Sequence, residues 1–168
     1  ANHHKWLCGP KASGFLFVKP ELQDQIRPNV ISHGANQVRP GRSRFRVEFD
    51  WTGTYDPTSI LAVKAAIDFM GSLYDGGLLE LYKTNRQKTL SARKLLCDAL
   101  QIDVPCSDDM IGSLATIPLT SARLPKTGNT TYPTNQLQHT LRQEHRFELP
   151  VFQFGSDSAP FLRISMQA

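Results

Sequence analysis

The chain has 168 residues, of which 40% are hydrophobic and 20% are charged, a composition typical of a globular protein with one sizeable core or two small ones. Its net charge of +4 indicates nucleic-acid binding only weakly, and no apolar stretch approaches the roughly 20 residues of a membrane span. The three cysteines are an odd number without metal-ligand spacing, which favours a reducing compartment over a disulfide framework. Since no signal peptide is visible, we expect a cytoplasmic protein. The sequence lacks an initial methionine and opens inside a motif, so we interpret it as a fragment.

The first informative stretch contains a lysine between a histidine and an aromatic residue. Lys5 follows His4 and precedes Trp6, and a Gly-Pro turn and an apolar run ending at Val18 come next. The apolar run predicts a strand. Bulky neighbours and an imidazole would desolvate the lysine and favour its neutral, nucleophilic amine. The alternative is a solvated surface lysine, which is the commoner case for an isolated His-Lys pair.

A basic stretch follows in the next part of the chain. The sequence predicts a short polar turn or helix over residues 20–27 and a brief strand over residues 30–34. The arginines of the basic stretch are Arg39, Arg42, Arg44 and Arg46. In an extended backbone the last three would share one face. That face is a candidate for gripping phosphate, but a solvated edge or a subunit rim is the more usual role.

A helix is predicted to begin at Asp56 and Pro57, because Asp is a favoured N-cap and Pro suits the first helical position. Its predicted apolar stripe consists of Ile60, Val63, Ile67 and Met70. Gly53 and Thr54 lie just before this helix, where backbone N–H groups and a hydroxyl make a natural phosphate contact. For a Gly-Thr pair alone, an ordinary capped turn is the alternative.

The second half of the chain predicts alternating helices and strands. A helix is expected over residues 78–100, and its predicted apolar face consists of Ala92, Leu95, Leu96 and Ala99. The elements expected after it are a strand over 113–119, a loop over 120–131, a helix over 134–145, and strands over 147–154 and 160–166. This order favours a small α/β layer with an antiparallel sheet.

The last predicted strand carries a lone arginine. Arg163 alternates with Leu162 and Ile164 and therefore points to the opposite face. Its planar guanidinium suits a carboxylate, and a neighbouring Asp or Glu, or solvent, is the alternative partner. Of the three cysteines, two (Cys8 and Cys97) are interpreted as small buried packing residues.

Three segments, taken in order, resemble class V aminotransferase-type pyridoxal-phosphate enzymes, most closely their isopenicillin N epimerase-like branch. They are HHKWLCGPKASGFLFV at residues 3–18, WTGTYDP at 51–57 and LRIS at 162–165. Ala12 stands where that family has a glycine, which affects the tightness of the turn.

The resemblance implies roles for six residues. Lys5 is implied to be the Schiff-base lysine for pyridoxal 5'-phosphate, and Asn2 and His4 are implied to lie at the cofactor phosphate. Thr54, with Gly53, is implied to reach the phosphate of the cofactor bound in the neighbouring subunit. The residue implied to bind the α-carboxylate of the amino-acid substrate is Arg163.

The resemblance also implies a fold, which is the later part of a fold-type I α/β enzyme. Residues 1–56 would be the end of the large cofactor-binding domain, 57–101 connecting helices, and 102–168 a small C-terminal α/β domain without its last helix. It further implies a homodimer with shared cofactor sites, and no metal, nucleic-acid or membrane partner. The aromatic residue that stacks on the cofactor and the aspartate at its ring nitrogen belong to the first part of the family fold, so we expect the fragment to be inactive alone.

Several reactions and functions stay open. In the family chemistry the lysine also acts as a base at Cα, and return of the proton gives epimerisation whereas loss of a β-substituent gives a C–S lyase; transamination is a third outcome. A cysteine desulfurase is disfavoured, because Cys106 lies outside any segment that resembles that family's cysteine loop. Functions of another class are a non-catalytic dimerisation domain and a basic module that binds an anionic polymer through residues 39–46. The basic stretch lacks interleaved stacking aromatics apart from Phe45.

Overall fold

The computed structural model describes residues 1–119, 136–153 and 160–167. The chain divides into two compact units, Ala1–Met70 and Gly71–Ala168. This division falls inside the segment that the sequence assigns to connecting helices, and the predicted domain boundaries stay predictions. The loop expected over 120–131 and the first two residues of the helix expected over 134–145 lie outside the described residues. Among the helices in the described ranges, none is both long enough and apolar enough for a membrane span.

The first unit consists of turns and short helices. Its elements are the 3-10 turns Pro20–Gln25 and His33–Ala35 and the helices α1 (Arg44–Phe49), α2 (Thr58–Leu61) and α3 (Val63–Gly71), whose last residue belongs to the second unit. The Ser43 hydroxyl caps α1 by accepting a hydrogen bond from the backbone N of Arg46 at 3.3 Å. Asp56 accepts bonds from the Thr58 hydroxyl at 2.6 Å and the Thr58 backbone N at 2.9 Å, and these bonds hold the pKa of Asp56 below its ordinary value. The predicted helix start is confirmed, with the first helical residue one position later at Thr58.

Close backbone approach organises the centre of the first unit. Phe45, Val47 and Glu48 are the buried residues of α1. Gly34 lies against this helix so closely that a Cβ atom would be 2.4 Å from the carbonyl oxygen of Val47. Only glycine permits that contact.

Two predicted strands of this unit are wrong. The run that ends at Val18 has no regular ladder, and three of its residues are largely exposed (Phe15 60%, Leu16 61% and Phe17 76%). Residues 30–34 form a bend that leads into the 3-10 turn, with Val30 and Ile31 exposed. Within the described residues no neighbouring strand completes their hydrogen bonds, so apolar β-propensity alone did not produce a sheet.

The helical predictions for this unit need two corrections. The stretch with Arg44 and Arg46 is helical, so the arginines do not share an extended face. The predicted stripe is interrupted at Ala62, between α2 and α3, and Ile60 and Ile67 remain 48% and 41% exposed. Met70 is buried as predicted and Val63 is half-buried, whereas Ala66 takes the buried place expected for Ile67.

The second unit is the predicted small α/β layer. It contains α4 (Gly77–Leu100), the 3-10 turn Asp108–Met110, β1 (Leu114–Pro118), α5 (Gln136–His145), β2 (Val151–Phe152) and β3 (Phe161–Ser165). The sheet order is β1-β3-β2 with both pairings antiparallel, and the register pairs Ala115 with Ile164 and Val151 with Leu162. Helix α4 packs against β1 and β3. The main core cluster between these layers consists of Cys97, Ile117, Leu119, Val151 and Leu162. The expected antiparallel sheet is therefore confirmed.

The buried face of α4 differs from the predicted one. Its buried residues are Leu81, Asn85, Thr89, Arg93 and Cys97, spaced four apart. Leu95 and Ala99, expected on the apolar face, are exposed. An apolar pattern cannot find this face because three of its five side chains are polar. The Thr89 hydroxyl donates to the Asn85 carbonyl at 2.8 Å, and Arg93 Nη1 donates to the Cys106 carbonyl at 2.9 Å, which makes burial tolerable.

Candidate active site

A short hairpin carries the candidate lysine. Asn2 and Gly14 form an isolated antiparallel bridge, flanked by hydrogen bonds from the Phe15 backbone N to the Ala1 oxygen (2.9 Å) and from the Ala1 amino group to the Phe15 oxygen (2.8 Å). A Cβ atom at Gly14 would lie 2.7 Å from the Ala1 oxygen, so the two ends can approach only with glycine there. Lys5 lies in the turn that this hairpin closes.

Inside the hairpin, a second set of hydrogen bonds ties down the loop. The His3 backbone N donates to the Ser13 oxygen at 3.2 Å, and the Gly9 backbone N donates to the His3 oxygen at 3.1 Å. The Ser13 hydroxyl lies 3.1 Å from His3 Nδ1 and 3.3 Å from the Pro10 oxygen. Sequence reasoning missed His3 and Ser13, because a loop residue leaves no periodic signal.

The hairpin contains two non-glycine residues with left-handed backbone. They are Cys8, with φ of 56°, and Ala12, with φ of 70°. An alanine in this region costs roughly 1–2 kcal/mol because its Cβ crowds the following carbonyl oxygen. The turn therefore needs at position 12 the conformation that a glycine adopts freely, and the alanine makes it strained rather than looser.

The three candidate side chains of the loop are all exposed. These are Asn2, His4 and Lys5. The expected burial of Lys5 is not found, since its side chain is exposed and its neighbour Trp6 is itself 38% exposed. Among the described residues none forms an ion pair with Lys5. Its amine can therefore contact a molecule that enters from solvent.

A second candidate segment precedes α2. Gly53 has φ of 132°, a value that L side chains rarely adopt, and the Thr54 side chain is exposed. The Ser32 hydroxyl donates to the backbone oxygen of Thr52 at 2.5 Å, and this bond holds the residue that precedes Gly53. Trp51 and Tyr55 flank this turn in sequence, and their ring centroids lie 5.2 Å apart. Sequence reasoning missed Ser32, whose partner is 20 residues away.

Within the first unit, the candidate residues lie in two separate segments. Asn2, His4 and Lys5 share the hairpin, but none of their side chains hydrogen-bonds Gly53 or Thr54. Arg163 belongs to the second unit. The roles predicted for these residues therefore stay predictions.

Arg163 occupies the solvent face of the central strand. The burial of Leu162 and Ile164 alternates with the exposure of Arg163, as its position between them predicts. Its backbone N donates to the Pro150 oxygen at 3.1 Å, and its strand partner is Thr116. Among the described residues, no carboxylate forms an ion pair with it. The guanidinium is thus held on a rigid strand with its face towards solvent.

The basic stretch is largely consumed by intramolecular pairs. Arg44 Nη1 lies 2.8 Å from Oε2 of the buried Glu48, and Arg27 contacts the same carboxylate with distances of 2.5 and 2.7 Å. Arg42 and Arg46 both contact Asp50, at 3.5 and 2.9 Å. These contacts favour the structural interpretation of the arginines over a phosphate-gripping face. Arg27 and Glu48 also border a cavity of about 360 Å³ whose other walls come from residues 28–32, 34 and 35.

The cysteines and acidic residues add no further chemistry. Cys97 is buried as predicted, and burial raises the pKa of its thiol. The prediction for Cys8 is wrong, because the turn that precedes Gly9 leaves it exposed. In the part of the chain that the structure describes, no group of three or more His, Cys, Asp or Glu side chains is arranged to hold a metal ion.

Comparison with known proteins finds that the chain is similar to two kinds of enzyme. No family model matches the chain. The L-cysteine desulfhydrase of Arabidopsis thaliana is 25% identical over 156 residues, which cover 92% of this chain and 32% of that protein. The isopenicillin N epimerase of Streptomyces clavuligerus is 28% identical over 178 residues, which cover 96% of this chain and 40% of the epimerase. The chain thus spans less than half the length of these curated relatives, and it is similar to both.

Proposed function

We propose that the chain is part of a pyridoxal-phosphate enzyme that acts at the α-carbon of an amino acid. The observation that carries the proposal is the hairpin, which presents the exposed Lys5 amine beside His4 and Asn2 on a loop tied down at both ends. The similarity to an L-cysteine desulfhydrase and to an isopenicillin N epimerase supports it.

The chemistry of the exposed side chains fits the cofactor. An exposed amine suits the aldehyde of pyridoxal 5'-phosphate, and an imidazole and an amide beside it suit a phosphate. The Gly53-Thr54 turn adds an exposed hydroxyl and a backbone that only glycine adopts with ease. Lys5 would hold the reactive carbon of the cofactor, and the phosphate would be held by Asn2 and His4 together with the Gly53-Thr54 turn of the neighbouring subunit.

The candidate site residues would each have a separate role in this reaction. Lys5 would hold the cofactor covalently, give way to the substrate amine, and take the α-proton as a base. When bound, the cofactor supplies an electron sink for the bond that breaks at Cα. Arg163 would bind the substrate α-carboxylate through two parallel hydrogen bonds and so orient Cα. We place these tasks in a homodimer in which Thr54 serves the neighbouring subunit's site.

We further propose that the chain corresponds to the later part of a fold-type I enzyme. Residues 1–56 would end its large domain, and residues 102–168 would form its small domain. The α/β layer with its antiparallel sheet in the second unit is compatible with that small domain.

Two outcomes of the reaction have equal support. Epimerisation returns the α-proton to the opposite face of Cα, whereas a C–S lyase expels sulfur from the β-carbon. The similarity to the epimerase favours the first, and the similarity to the L-cysteine desulfhydrase favours the second. Incubation of the full-length protein with L-cysteine in D₂O distinguishes them: sulfide release identifies the lyase, and formation of the D-enantiomer with deuterium at Cα and no sulfide identifies the epimerase.

Borohydride trapping tests the central assignment. After incubation with pyridoxal 5'-phosphate and reduction, peptide mapping should find the label on Lys5, and Lys5→Ala should abolish both label and turnover. Lys11→Ala is the matched control, since it removes another exposed lysine of the same hairpin and should change neither. Label on another lysine, or a tenth of the original rate in Lys5→Ala, would show that Lys5 is a surface residue. Active mixed dimers of Lys5→Ala and Thr54→Ala subunits would support the shared site.

A further inference from the structure

The hairpin contains one buried polar side chain whose role is unassigned. Ser13 is 6% exposed, whereas the residues on either side of it, from Lys11 to Phe15, are exposed. A serine buried in this way must satisfy its hydroxyl, which has one donor hydrogen and can accept bonds. The two groups within reach are the Pro10 oxygen and His3 Nδ1.

One arrangement of donors and acceptors satisfies the Ser13 hydroxyl, the Pro10 oxygen and His3 Nδ1 together. The Pro10 carbonyl can only accept, so the hydroxyl hydrogen points to it. In the tautomer that carries its proton on Nδ1, the His3 imidazole donates to the Ser13 oxygen in turn. The imidazole is also stacked on Phe15, with ring centroids 5.8 Å apart. His3 is therefore held in one orientation with Nδ1 towards the interior of the loop.

We propose that Ser13 is a positioning residue, whose buried hydroxyl joins His3 to Pro10 and thereby sets the place of Lys5. The bond spans the loop from one arm to the other, since His3 lies two residues before Lys5 and Pro10 lies on the returning arm. The backbone bond from Gly9 to His3 closes the inner turn around the lysine. This inference rests on the proposed function for its effect on turnover, while the bond itself is independent of that function.

The effect on chemistry follows from geometry. A base that removes an α-proton must be held within hydrogen-bond reach of it, and a small misplacement costs about 100-fold in rate. Loss of the Ser13 hydroxyl would leave the Lys5 amine and the backbone bonds intact but remove the side-chain bonds that fix His3 in the loop. The expected signature is a fall in kcat of at least about tenfold with little change in KM.

Two pairs of variants test this in the full-length protein. Ser13→Ala removes the bond, and Ser43→Ala is the matched control, because that hydroxyl accepts a single bond at the start of α1. His3→Leu removes the donor from the other side, and His3→Asn restores one at the place of Nδ1. His3 is only partly buried, so its variants remain informative if Ser13→Ala fails to fold.

The readouts separate this inference from the proposed function. Amide exchange in the peptide containing residues 3–9 should accelerate about fivefold in Ser13→Ala and His3→Leu, and should stay unchanged in Ser43→Ala and nearly so in His3→Asn. The fall in kcat should follow the same order. Unchanged exchange would overturn the bond, and faster exchange with unchanged kcat would overturn the positioning role. Absence of borohydride label on Lys5 in the unmodified protein would overturn the proposed function, while the exchange result would still decide the bond.

Discussion

The ion pair of the buried Arg93 in α4 yields a prediction about stability. Removal of its exposed partner Asp108 should destabilise the protein more than removal of Arg93 itself. Arg93 is 2% exposed, and its guanidinium pairs with Asp108, which is 66% exposed. Asp108→Ala leaves a buried cation without its counter-charge, a loss of about 3–5 kcal/mol for a fully buried pair. Since Asp108 is largely exposed, solvent screening reduces this to about 2–3 kcal/mol.

Removal of the arginine should cost less. Arg93→Met leaves Asp108 in water, where a lone carboxylate is well solvated, and the methionine can fill the apolar volume of the side chain. The main loss is the hydrogen bond to the Cys106 carbonyl, worth about 1 kcal/mol. Asp108→Ala is therefore expected to be the more destabilising variant by about 1–2 kcal/mol, the difference between the two estimates.

Urea denaturation of each variant, followed by far-ultraviolet circular dichroism, measures these free energies of unfolding. Asp109→Ala is the matched control, because it removes the same charge at the adjacent exposed position and should change stability by less than about 0.5 kcal/mol. Equal losses for Asp108→Ala and Arg93→Met, or a larger loss for Arg93→Met, would refute the reasoning that an unpaired buried charge dominates.

Three other predictions concern the hairpin, the core and the last strand. Ala12→Gly should raise the free energy of unfolding by about 0.5–1 kcal/mol, because it relieves the left-handed backbone by more than the added chain entropy costs; a lower urea midpoint would contradict this. With iodoacetamide at pH 8, Cys8 should react rapidly and Cys97 slowly, because burial both shields the Cys97 thiol and raises its pKa. Equal alkylation rates of the two cysteines, measured by mass spectrometry of their peptides, would disprove this prediction. In the full-length protein, Arg163→Lys should raise KM and lower kcat, by roughly 2–4 kcal/mol in kcat/KM, while the cofactor colour persists; loss of the colour would indicate a structural arginine.

The amino-acid sequence by itself determined the elements whose signals are local. The helix start at Thr58 follows from the short polar side chain of Asp56, which accepts a hydrogen bond from the Thr58 backbone N two residues on. The extent of α4 follows from strong helix formers between Gly76 and the left-handed Gln101. The alternation around Arg163 follows from the two-residue period of a strand, which requires no knowledge of the partner strands.

Tertiary structure alone decided which surfaces are buried and which polar groups meet. The run ending at Val18 has β-propensity but no described partner strand, so it forms only the bridge at Gly14. The buried face of α4 is polar because Cys106 and Asp108, more than ten residues away in sequence, supply the partners that Arg93 needs. Contacts such as Ser32 to Thr52 and His3 to Ser13 leave no local pattern, because a hydrogen bond depends on distance in space and not in sequence. Lys5 could thus be predicted as a candidate from its neighbours in the chain, whereas the side chains that hold its loop could be found only in the folded molecule.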